Sequence, residues 1–210
     1  MLIACDPAPD VLFTNPLPVG SPDLPQFPRR HRGVYALPTD SLRQVVVLPR
    51  SLVLRAWANL GRESRFVIDS FQRTQNDAGQ HPVVRLIDAR ADSAILLVWV
   101  TDTLFKLTTP DSTRLRRKGG FYYLNRAQPT GHWQTKRLQI NPQQLQLTTF
   151  TNDSLRLVAL KEAGLLADLP DKPRWYLAHP TLRNQRRLLH APHLWQPTHD
   201  SVYVRYHPKS

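Results

Sequence analysis

The segment Lys118-Gly119-Gly120-Phe121-Tyr122-Tyr123-Leu124-Asn125 sets the fold class. Adjacent glycines adopt the positive φ angles of a tight turn without a Cβ penalty. The aromatic and aliphatic residues behind them favour extended structure. The turn is therefore expected to feed a core strand whose alternate aromatics pack inside.

Outward from this strand, the chain continues as short β-prone runs separated by turn residues. Gly33–Leu37 stops at Pro38 and Arg43–Leu48 at Pro49. Ser51–Trp57 alternates Leu52, Leu54 and Ala56 against Val53, Arg55 and Trp57. Arg65–Phe71, Val83–Ile87, Ala94–Val100, Leu104–Leu107 and Trp133–Ile140 have strand lengths, and Asn141-Pro142 turns the chain into Gln144–Thr148. Turn signals every 8–12 residues or so predict an antiparallel all-β domain of about ten strands rather than βαβ units. Asp40-Ser41, Asp102-Thr103, Asp153-Ser154 and Asp200-Ser201 each precede an apolar run, as expected where a polar side chain bonds the backbone at the start of a strand. One helix is predicted, over Thr181–Leu189, with Leu182, Gln185 and Leu189 on one face. Residues 157–167 fit a helix or a strand equally, and Ser201–Tyr206 reads as a last strand.

The charge is unevenly spread. Residues 1–28 hold three Asp and no Lys or Arg, whereas the rest carries all 28 basic side chains of a chain whose net charge is +12. Such a body attracts anionic lipid, acidic polysaccharide or nucleic acid. The basic groups nearest to an anionic-surface site are Arg29, Arg30 and Arg32, then Arg114, Arg116, Arg117 and Lys118 beside the aromatic strand. Cations next to aromatics could meet phosphates and stack bases, but the double glycine departs from the RNA-recognition pattern.

Leu2-Ile3-Ala4-Cys5 has the residue order of a bacterial lipobox. Cys5, the only cysteine, is the expected lipidation site, and two or three acyl chains would make a stable membrane anchor. Seven prolines between Pro7 and Pro28 suggest a stiff tether over residues 1–28, followed by one β-rich domain over 29–210. Only four residues precede Cys5, fewer than an export signal needs. An envelope location therefore requires a reading frame that continues upstream, and a chain starting at Met1 would be cytoplasmic. No apolar run approaches the roughly 20 residues of a membrane-spanning helix.

Together, Lys118–Asn125, Trp133, Leu138 and the stretch Phe27–Tyr35 resemble a pattern in uncharacterised lipoproteins of the Bacteroidetes cell envelope. That resemblance implies a fold type and a location but no activity. Gly33-Val34-Tyr35 also resembles the opening of lipocalin-like barrels, which implies a barrel or curled sheet.

Catalytic signatures are missing: there is no Gly-x-Ser-x-Gly, His-Glu-x-x-His or phosphate-binding loop. With Glu63 and Glu162 the only glutamates, a paired-Glu hydrolase is excluded. His190, His193, His179, His199 and Asp200 read as scattered surface groups and not as a metal site, since Pro192 breaks the helix that would align them. No cofactor is expected. The expected role is that of a lipid-anchored envelope protein that is structural or binding, not an enzyme. A cytosolic nucleic-acid binder using residues 114–126 is the alternative, and a hydrolase with a dispersed triad trails both.

Overall fold

Thirteen strands form one mixed sheet that curls without closing in the computed structural model, which describes residues 10–40, 42–77, 84–170, 172 and 174–206. The described residues begin with β1 (Asp10–Phe13), β2 (Gly33–Ala36), β3 (Gln44–Val47) and β4 (Ser51–Ser64), then helix α1 (Arg65–Asp77). Next come β5 (Val84–Ile87), β6 (Ser93–Lys106), β7 (Thr113–Lys118), β8 (Phe121–Ala127), β9 (Trp133–Ile140) and β10 (Gln144–Phe150). The described residues end with α2 (Ser154–Glu162), β11 (Leu166–Asp168), β12 (Trp175–Ala178), α3 (Gln185–His190) and β13 (Trp195–Arg205). Across the sheet the order is β11-β12-β1-β9-β10-β13-β2-β3-β4-β6-β5, with β7 and β8 branching from β9. Among the described pairings only β1 on β12 is parallel.

Gly119 and Gly120, at φ +58° and +85°, turn β7 into β8, as the sequence predicts. The strand that follows differs from the expectation in one respect: its aromatics are buried on both faces. Tyr122 and Leu124 enter a core with Phe27, Tyr35, Leu52, Phe105, Leu115 and Leu138. Tyr123 enters a second core with Phe13, Leu17, Trp133, Phe150 and Trp195, with Phe121 packed against it. A strand covered on both sides reads as a continuous apolar run, so β8 is the partition between two cores.

Residues 10–28 are not a tether from Asp10 on. Val11, Leu12 and Phe13 are buried in β1, Leu17 lies in the second core and Phe27 in the first. Prolines prevent residues 16–19 from joining a ladder, so side chains serve their backbone. Asn125, which has no exposed surface, accepts from Leu17 N–H at 2.8 Å and donates to Leu17 C=O at 2.7 Å. Gln185 does the same for Val19, at 2.9 and 3.1 Å. Arg116 donates to the carbonyls of Pro16 and Pro18, at 2.6 and 3.0 Å, and to Asp23 at 2.6 Å. The apolar residues between the prolines decide the outcome, because burying them outweighs extending a spacer.

Three further expectations change. Arg65–Phe71 is helical, not a strand: Ile68 and Phe71 pack from α1 onto Ala94, Leu96 and Val98, which only a helical spacing allows. Asp153 caps α2, accepting from Leu155 N–H and Arg156 N–H, instead of starting a strand. Residues 157–167 supply the end of α2 and the start of β11. The C-terminal helix is shorter than predicted, since Thr181 and Asn184 exchange hydrogen bonds in a turn and leave Leu182 69% exposed. The described residues thus hold three α-helices rather than one.

Strands β4 and β6, each of 14 residues, form a ribbon of about 46 Å whose distal half leaves the main core. There α1 covers one face, and the other carries Trp57 and Trp99 edge to face at 5.2 Å.

Removing the Asn125 clamp should be costly. Asn125→Ala leaves Leu17 N–H, Leu17 C=O and Thr135 without their buried partner and is expected to lower stability by about 3 kcal/mol, read as a shift of the urea midpoint at unchanged slope.

Candidate functional site

The curled sheet makes a cup around the first core. One end is plugged by residues 24–31. Phe27 meets Tyr122 edge to face at 5.6 Å, and His31 Nδ1 shares a 2.7 Å hydrogen bond with Tyr122 OH. His31 is only 4% exposed. Burial holds its pKa below the usual histidine range, and the nearby charges of Arg30, Arg117 and Arg205 push the same way.

The two basic clusters of the sequence meet at this plugged end, with Arg30 and Arg117 both acting on His31 and Tyr122. Arg29, Arg30, Arg117 and Lys118 are exposed. Arg117 lies over the Tyr122 ring at 5.3 Å. Their neighbours are engaged internally. Arg32 donates to Phe27 C=O at 2.8 Å, and Arg114 donates to Pro110 C=O and pairs with Asp23. Arg116, at 9% exposure, is the clamp on Pro16 and Pro18 and does not face solvent. The aromatics that would have stacked bases, Tyr122 and Tyr123, are inside the protein. Arg137, absent from the sequence reading, is also buried, over the rings of Phe121 and Trp195 at 4.4 and 4.9 Å.

The other end of the cup is open, and the sequence reading missed it. Inward-facing rows can be followed strand by strand from the register. On β9 the row is Ile140, Leu138, Lys136, Gln134, and on β8 it is Tyr122, Leu124, Arg126. On β3 it is Val47, Val45, with Arg43 next in line. Each row begins apolar and ends polar at the same mouth. A cavity of about 140 Å³ opens there between Arg43, Val45, Leu54, Leu104, Lys136, Leu147 and Tyr203. A smaller lobe of about 20 Å³ shares Leu104 and Lys136 and adds Leu124, Arg126 and Gln134. Arg126 reaches across the unclosed seam to Leu104 C=O at 3.4 Å.

Burial and the charge of Arg126 lower the Lys136 pKa, against the upward pull of Asp102 and Asp10. Asp10 is at the mouth too, accepting from Gln134 Nε2 at 3.0 Å. Another cavity, of about 260 Å³, lies between Leu24, Pro25, Leu107, Pro110 and Arg114. Its arginines are already engaged, Arg50 with Thr108 C=O and Arg114 with Asp23.

Among the described residues no group of three His, Cys, Asp or Glu side chains is placed to hold a metal ion. Cys5 lies outside the described residues. No family model, curated protein or solved structure matches the chain.

Both titratable centres can be checked by stability measurements. The unfolded-state pKa of His31 is near 6.5 and its folded value is lower, so the unfolded chain takes up the proton first. Stability should fall below pH 6.5 at up to about 1.4 kcal/mol per pH unit, and His31→Gln should flatten the profile between pH 7 and 5.5. Lys136→Met removes a partly buried charge and should stabilise the fold by about 1 kcal/mol at pH 7. That gain should narrow as pH rises toward 10.5, because the folded lysine then loses its proton ahead of the unfolded one. Thermal melts across this range measure both effects.

Proposed function

We propose that this chain is a lipid-anchored cell-envelope protein that binds a ligand or partner and is not a catalyst. The observation that carries the reading is Leu2-Ile3-Ala4-Cys5 standing just ahead of a sheet that begins at Asp10. Five residue steps from Cys5 to Asp10 span at most about 18 Å. The body would therefore sit close to a bilayer, without the long stand-off that the prolines suggest. Since Asp10 bonds Gln134 beside the cleft, acylation at Cys5 would hold the open mouth toward the lipid.

Arg29, Arg30, Arg117 and Lys118 gather at the plugged end, away from Asp10. On this reading they meet an anionic partner on the far side, such as acidic polysaccharide or the lipid of a facing membrane, with roughly 1 kcal/mol per side chain at an anionic surface. Binding of nucleic acid through residues 114–126 has less behind it, because stacking needs exposed rings and Tyr122 and Tyr123 are buried.

Radioactive fatty-acid labelling of the gene product in its native host tests the anchor. Wild type should carry label and fractionate with membranes, and Cys5→Ser should carry none. Label retained in the variant, or an unmodified chain still starting at Met1 by intact mass, would overturn the reading.

A further inference from the structure

The chemistry of the open mouth specifies a ligand class. Its floor is mostly aliphatic, made of Val45, Leu54, Leu104 and Leu147 with Tyr203 beside them, and its rim carries Arg43, Arg126 and Lys136. We propose that this cleft binds a small amphipathic carboxylate, with its apolar body on Val45, Leu54 and Leu147 and its carboxylate on Lys136 and Arg126. The inference rests on the binding role proposed above and names the ligand for it.

Three observations carry it. First, Lys136 occupies an inward row position between Leu124 on β8 and Thr149 on β10, where Leu138 and Ile140 show what the fold otherwise places there. An inward lysine is costly unless a partner answers its charge. Second, the side chain of Lys136 makes no hydrogen bond among the described residues, although Asp102 and Asp10 act on it from nearby. Their charges offset part of the cost of burial, and the Lys136 Nζ donors are left for a ligand. Third, a floor that is apolar but for Tyr203 disfavours a fully hydrated inorganic ion as the main occupant, while three cations on the rim, against Asp10 at the mouth, disfavour amines. Size is bounded as well. At about 10–15 Å³ for each water-sized position, the 140 Å³ cavity holds roughly ten such positions, which suits a chain of six to eight carbons or so.

Isothermal titration of purified full-length chain with sodium octanoate is the direct test, with octanol, octylamine and acetate as comparisons. Octanoate should bind one to one, at least tenfold more tightly than each of the other three. Lys136→Met should weaken octanoate at least tenfold while leaving octanol unchanged or tighter, in a protein that is folded by circular dichroism. Leu104→Trp, which fills the cleft without touching the charges, should abolish both. Equal affinity for octylamine, octanoate affinity unchanged in Lys136→Met, or no binding of octanoate in the millimolar range would each overturn the proposal. The titration uses unacylated protein, so a failure of anchoring at Cys5 leaves its outcome unaffected.

Discussion

A proline-rich strap has to be buried without a ladder of its own, and the molecule is arranged around that requirement. Residues 16–19 lie between the β7–β9 sheet and α3, where two of four residues lack an N–H and the remaining polar groups have no neighbouring strand. Asn125, Gln185 and Arg116, from three separate elements, supply the missing partners. Unpaired buried backbone groups are rare because each loses its hydration without replacement. The clamps therefore dictate where β7, β8 and α3 can sit relative to the strap. Asp23 extends the arrangement by neutralising Arg116 and approaching Arg114.

This constraint also explains why β8 is buried on both faces. With the strap and α3 on one side and the curl of the sheet on the other, Tyr122–Asn125 has no solvent face, and the side chains of β8 divide between two cores. The same division separates two uses of positive charge. On the side of the second core, Arg137 is stacked between Phe121 and Trp195 and donates to Leu189 C=O at 3.2 Å, so its role is internal. On the cup side, Lys136 and Arg126 end apolar rows beside a cavity, where no such internal arrangement answers Lys136. Adjacent residues of β9 thus serve structure and candidate site by turns, as the period of two in a strand allows.

Much of this was legible in the chain. The double-glycine turn, the all-β class and most strand positions follow from local rules, because turn geometry and strand propensity act over a few residues, whereas the curl of the sheet was implied only by the resemblance of Gly33-Val34-Tyr35 to the opening of lipocalin-like barrels. Readings that failed did so where distant contacts outweighed local preference. Phe66-Val67-Ile68 has strand propensity, yet α1 forms because Ile68 gains a surface on β6 and Phe66 is left 82% exposed. The open mouth had one local signal, the polar residues Gln134 and Lys136 in a row that continues as Leu138 and Ile140. That signal points nowhere until the partner strands are known.

Composition and spacing by themselves determined a β-rich chain with a lipobox-like start, an excess of arginine and no local catalytic motif. Only the tertiary structure decided that Arg114 and Arg116 are fastened inward while Arg30 and Arg117 converge outside. It alone decided that residues from Asp10 to Phe27 belong to the core, and that Arg43, Arg126 and Lys136 share a mouth. The reason is physical: strand register and sheet curl bring together side chains more than eighty residues apart, and which charge is solvated or buried depends on that meeting.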